Sequence, residues 1–211
     1  MDSIIALLLV YSMPDIGIIE HFYLSERYLY HTIPDYVYDP HDGNYSGSFY
    51  IDLLEDEEYY LDKDQKSRAF SGIVGGEMSI FKNNANWKVE KKEGTFFMNF
   101  PAMVESYTSI KSGDIHSEVY ADIPLFRKYQ ERINFCRIPG IINSNAGKYN
   151  IRVLYEDYFG VAYNPETGSN EELRMTGFRL EKIEEVKVPA DFFTRLTELP
   201  LVDIKTIDRR M

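Results

Sequence analysis

A single cysteine, Cys136, in 211 residues excludes an internal disulfide, so packing and hydrogen bonds must hold the fold together. Its neighbours Phe135 and Arg137 supply no activating base, and an ordinary buried thiol is expected there, not a nucleophile. Basic residues are scarce in the first third. From Met1 to Phe70 the chain has 14 Asp and Glu against 4 Lys and Arg, a net of −10, while the remainder has 20 against 19. Such a surface repels a phosphate backbone, so direct nucleic-acid binding is not expected.

Long apolar runs are missing too. The stretch Ile4 to Val10 is far too short for a membrane span. Asp2 stands where a secretion leader carries positive charge, and no small-residue cleavage site follows, so a buried strand or short helix is expected. On that reading the protein is cytoplasmic if Met1 is the native start and periplasmic if a leader has been removed.

Familiar catalytic motifs are absent as well. "GIVGGEMS" lacks both the Lys-Ser/Thr of a phosphate loop and the Gly-x-Gly-x-x-Gly of a dinucleotide turn. There is no Gly-x-Ser-x-Gly elbow and no His-Glu-x-x-His pair. Seven carboxylates between Asp52 and Asp64 read as a charged face before they read as a general acid and base. No enzymatic activity, cofactor or catalytic residue is expected.

Three of the four histidines, His21, His31 and His41, are spaced ten residues apart. On a helix that step turns about 280°, and along a strand it separates them by tens of ångströms, so regular spacing does not gather them. "DPHDGN" brings Asp39, His41 and Asp42 close in sequence but matches no metal-ligand or calcium-loop spacing. No metal site is expected, and the histidines read as part of an aromatic wall.

What the chain does contain is aromatic residues and alternation. Tyr and Phe number 17 and 13, and eight of the tyrosines lie between Tyr28 and Tyr60. Such rings favour the half-buried face of a strand. Strand-like runs occur at Ser48 to Leu54 and Glu58 to Leu61, around Trp87 and Val89, at Ile151, Val153 and Tyr155, at Leu173 and Met175 after a loop at Asn164 to Gly168, and at Ile183, Val186 and Val188. Two stretches read as helix. Asp122 is a candidate N-cap, with Pro124 in the first turn and Leu125, Phe126, Tyr129 and Ile133 on one face, and "PADFFTRLTEL" is a second, shorter case. Ile16 to Ile33 suits either state. The expected class is mainly β (α+β), a curved antiparallel sheet of hairpins with two or three short helices packed on it. At this length roughly 70% of the unfolded chain's surface can be buried, which favours one compact domain. Within it, residues 1–47 form an aromatic and acidic segment packed on the main sheet of residues 48–211.

"FYIDLLEDEEYYLDKDQKSRAF", "SEVYADIP", "RIPGI" and "GFRLEKIEEVKVPADFF", in that order, resemble the strand, hairpin and closing segments of LolA-like proteins, the half-barrel lipoprotein carriers and their bacterial relatives. The resemblance covers Ser48 to Phe193. It implies a strongly curved antiparallel sheet with helices across its concave face, enclosing an apolar cavity. No functional residue is carried over from the family.

Two functions are expected from these features. In the first, a non-enzymatic binding protein holds an apolar small molecule or a lipidated peptide, lined by Phe96, Phe97, Met98, Phe100, Phe126 and Tyr129. In the second, an inhibitor, immunity or adaptor protein docks a basic protein through Glu55, Asp56, Glu57 and Glu58.

Overall fold

The computed structural model describes residues 2–35, 45–73, 86–130, 148–165 and 168–207. Eleven strands form one antiparallel sheet that does not close: β1 (Ser3–Met13), β2 (Ile18–Leu24), β3 (Tyr28–Thr32), β4 (Tyr45–Asp52), β5 (Glu57–Asp62), β6 (Arg68–Ile73), β7 (Trp87–Phe97), β8 (Phe100–Ser109), β9 (Ile115–Ala121), β10 (Ile151–Asn164) and β11 (Ser169–Pro189). Three short helices accompany them, α1 (Pro124–Gln130), α2 (Thr194–Thr197) and α3 (Ile204–Ile207). The strand order is β6-β5-β4-β3-β2-β1-β11-β10-β9-β8-β7. Two meanders therefore meet where the first strand pairs with the last, from Ser3 opposite Pro189 to Ser12 opposite Arg179.

That central position explains the apolar run at the start of the chain. Leu7, Leu9 and Tyr11 face one side of β1 and are buried with Phe22, Leu24, Leu29, Ile51 and Leu180. Ala6, with Ile4 packed nearby, faces the other side and joins Tyr30, Tyr50, Leu61, Phe193 and Leu196. A strand covered on both faces needs no polar alternation. The ambiguous segment from Ile16 to Ile33 resolves into β2 and β3, whose Phe22 and His31 pair across one face and whose Tyr23 and Tyr30 pair across the other.

The tyrosines form a row. Tyr23, Tyr30, Tyr50, Tyr59 and Phe70 stand directly opposite one another on β2 to β6. Tyr50 and Tyr59 stack at 5.0 Å, and Tyr59 meets Phe70 edge-on at 5.7 Å. Cross-strand aromatic pairs of this kind are units of sheet stabilisation. The C-terminal segment lies on this row: Phe192 contacts Tyr23 and Tyr30, and Phe193 stacks on Tyr28. Arg68 ties the segment to edge strand β6. Its backbone N–H donates to Pro200 O at 2.9 Å, its carbonyl accepts from the Val202 N–H at 2.9 Å, and its Nε donates to Leu199 O at 3.1 Å. An edge that would otherwise invite pairing with another chain is thereby partly covered. Replacing Phe193 with alanine is expected to cost about 3–5 kcal/mol, read from urea denaturation, with faster amide exchange at Arg68 and Val202. An unchanged midpoint would mean that the docked segment adds nothing to stability.

Irregularities decide which faces the remaining side chains reach. A register shift between Arg152 and Leu154 places Tyr155 opposite Glu118, on the face of Arg152, so Ile151, Val153 and Tyr155 do not share the single face that simple alternation suggests. Gly177 lies under the Tyr155 ring, where a Cβ would come within 2.3 Å of it. The last strand runs 21 residues and joins Leu173 and Met175 to the Ile183 to Val188 segment, which the sequence shows as separate runs. Asp122, the candidate N-cap of α1, instead accepts a hydrogen bond from the Arg127 guanidinium. Ile133 and Cys136 lie outside the described residues, as do Asp39, His41 and Asp42.

Candidate functional site

The acidic candidates lie at the turn between β4 and β5. Arg27, in the turn between β2 and β3, donates to both carboxylate oxygens of Asp52, Nε at 3.1 Å and a terminal nitrogen at 2.7 Å to one of them. The Leu53 N–H donates to the Arg27 carbonyl at 2.8 Å, and the Leu54 N–H donates to Asp52 at 3.1 Å. These bonds lock two turns into one tip. The Asp52 hydrogen bonds hold Arg27 above its ordinary pKa, and the nearby Glu55 charge acts in the same direction.

On that tip Leu54 is 66% exposed, with Glu55 beside it and Glu26 exposed on the neighbouring turn. Asp56 takes a left-handed conformation, φ 57°, to close the turn. The four candidates are not equivalent. Glu57 accepts from Tyr59 Oη at 2.6 Å and Glu58 from Ser71 Oγ at 2.6 Å, whereas Glu55 and Asp56 make no hydrogen bond or ion pair with a described residue.

The apolar candidates separate into two groups. Phe126 and Tyr129, from α1, are buried in the principal core cluster, and Phe97 and Phe100 pack against it. Phe96 is 72% exposed, and Met98 occupies the two-residue β7–β8 turn with Asn99, both at positive φ. The six do not line one space.

Sequence reading missed a buried polar network on β7 to β10. Glu105 on β8 and Glu118 on β9 are directly opposite, and both are buried. Like charges so placed repel. Lys91 of β7 pairs with Glu105 and Arg152 of β10 pairs with Glu118. Tyr107 Oη donates to Glu105 at 2.6 Å, and Tyr120 Oη donates to Glu118. One row further along, His116 Nδ1 meets the buried Asp157, and the Trp87 ring stands edge-on to the imidazole at 4.9 Å. A signal for part of this exists in the sequence. Glu-x-Tyr occurs six times in the chain, and at Glu57/Tyr59, Glu105/Tyr107 and Glu118/Tyr120 the hydroxyl reaches back two residues, along one face, to the carboxylate.

The other two described histidines, His21 and His31, sit on opposite faces of adjacent strands. His31 is buried between Phe22 and Phe49, with ring centroids 4.6 and 4.5 Å away, and its Nε2 lies 3.5 Å from Glu20. His21 is half-buried on the other face, and burial lowers its pKa, with Asp35 opposing. Among the described residues no three His, Cys, Asp or Glu side chains gather as a metal site, and no helix is long and apolar enough to cross a membrane. No protein-family model matches the chain, and no curated protein matches it significantly.

Proposed function

We propose that this protein is a non-enzymatic docking module that binds a basic protein through the acidic end of its N-terminal half. The observation that carries this reading is the locked pair of turns presenting Leu54 beside the carboxylates of Glu55 and Asp56, which make no hydrogen bond or ion pair with a described residue. An apolar contact ringed by charge suits recognition, because the centre supplies desolvation and the rim supplies steering and selectivity. The net charge of −10 over Met1 to Phe70 adds a long-range field of the same sign.

A lysine-rich amphipathic peptide serves as the probe. Binding is expected to weaken steeply with added salt, because exposed charges are screened beyond about 10 Å at 0.1 M. The double substitution Glu55→Lys/Asp56→Lys should abolish it, and Glu171→Lys/Glu172→Lys, on the distant β10–β11 hairpin, should not. Binding that tolerates the first pair, or that is indifferent to salt, would overturn the proposal.

The LolA-like resemblance remains a proposal about the fold, supported by an open antiparallel sheet with short helices. We place an apolar-ligand function second, since its candidate lining is divided between filled core and exposed turn.

A further inference from the structure

On β8 to β11, the face opposite the buried network carries a groove of about 310 Å³. Its floor follows from register. Ser106, Ser117, Glu156 and Thr176 stand directly opposite one another on four adjacent strands, an unbroken row of oxygen-bearing side chains. The neighbouring row includes Ile115, Tyr158 and Arg174, and the row on the other side includes Val104, Val119 and Leu154. Ser106 and Ser117 are short, and the longer Ile115, Glu156, Tyr158 and Arg174 line the groove with them. With strands about 4.8 Å apart, the four-residue row spans roughly 14 Å.

The polar groups in this groove are incompletely used within the protein. The Ser106 and Ser117 hydroxyls lie 3.3 Å apart and satisfy each other once. Glu156 is half-buried, yet its carboxylate makes no hydrogen bond or ion pair with a described residue, and neither does the Tyr158 hydroxyl. Arg174 does not neutralise Glu156. Its Nε donates to Glu172 at 2.7 Å, and its guanidinium lies over the Tyr158 ring at 5.7 Å. The groove therefore offers one uncompensated carboxylate beside two hydroxyl acceptors, with an aliphatic and aromatic wall.

We propose that this groove binds an organic ammonium ion, the charged head of an alkylamine. An ammonium has three N–H donors and one positive charge. Ser106 Oγ, Ser117 Oγ and the Glu156 carboxylate supply three acceptors and one negative charge, and Ile115 and Tyr158 flank the alkyl chain. A free anion is disfavoured because the available guanidinium is already paired. This site lies on a different face and half of the sheet from the acidic turns and does not depend on their role.

Calorimetric titration of the whole protein with 1,5-diaminopentane tests the proposal. Saturable one-to-one binding is expected, at least about tenfold weaker in Glu156→Gln, because a charge-assisted hydrogen bond is lost. A severalfold loss is expected in Ser106→Ala/Ser117→Ala, with no change in Glu55→Lys/Asp56→Lys. 1-Pentanol, which keeps the chain but lacks the charge, should not bind. Tighter binding of N-acetyl-lysine methylamide than of the diamine would assign the same chemistry to a lysine side chain. Absence of saturable amine binding, or affinity unchanged in Glu156→Gln, would overturn the site.

Discussion

Raising the pH above about 10, the ordinary tyrosine pKa, is expected to unfold the protein cooperatively instead of titrating its tyrosines one by one. Tyr11, Tyr50, Tyr107 and Tyr120 are almost wholly buried. Burial pushes all four phenols up, Tyr50 to about 12 despite the opposing Arg68 guanidinium. Carboxylates push in the same direction at three of them, the hydrogen-bonded Glu105 at Tyr107, the hydrogen-bonded Glu118 at Tyr120 and the nearby Glu20 at Tyr11. Above the ordinary value the unfolded chain releases these protons and the folded chain keeps them. Stability is therefore complete below about pH 10 and falls as pH rises, by about 1.4 kcal/mol per pH unit for each such tyrosine. Four together give about 5–6 kcal/mol per pH unit, against a typical total of about 5–15 kcal/mol. Phenolate absorbance and circular dichroism should change together, one to two units above the normal tyrosine range. A phenolate titration that runs to completion with the dichroism intact would contradict the burial.

The second large effect is expected at Arg152. Its guanidinium pairs with the buried Glu118 and lies over the Phe178 ring at 4.9 Å, and its backbone carbonyl accepts from Tyr11 Oη at 2.8 Å. Arg152→Met keeps the apolar stem but leaves Glu118 facing Glu105 with its charge uncompensated. Stranding one member of a buried pair costs about 3–5 kcal/mol, and in a chain of this size the melting temperature should fall by roughly 10 °C. The discriminating variant is Glu118→Gln/Arg152→Met, which removes the charge together with its partner and is expected to recover most of the loss. A double variant as unstable as the single one would assign the effect to stacking on Phe178. Urea midpoints of the two variants decide between these outcomes.

Much of the sheet was legible from alternation. The run from Ser48 corresponds to β4, that from Glu58 to β5, and Trp87 and Val89 to the start of β7. Ile16 to Ile33 was undecidable locally, because Ile16, Ile19 and Tyr23 satisfy a helical spacing by coincidence. Pairing with β1 and β4 breaks the tie. The first half of β11 was legible where Leu173 and Met175 alternate with Glu172 and Arg174, but these residues are all exposed, so nothing marked its continuity with the segment from Ile183 to Val188. The acidic segment was visible as charge, but not the difference between Glu57 and Glu58, which are held by Tyr59 and Ser71, and Glu55 and Asp56, which are not. Glu105, Glu118 and Asp157 carried no mark in the sequence, since a string of letters gives a carboxylate no partner.

By itself the sequence determined the strand-forming character of the chain, the buried apolar segment at its start, the aromatic wealth of β2 to β6 and the concentration of acid in the first third. Each is a property of composition or of period-two alternation within one segment. Only the tertiary structure decided that β1 pairs with β11, that the tyrosines align into a row under the C-terminal segment, and that Glu105 faces Glu118 while Ser117 faces both Ser106 and Glu156. Alternation sorts residues into two faces, whereas register chooses their neighbours, and a slip of one position would exchange the buried network with the groove.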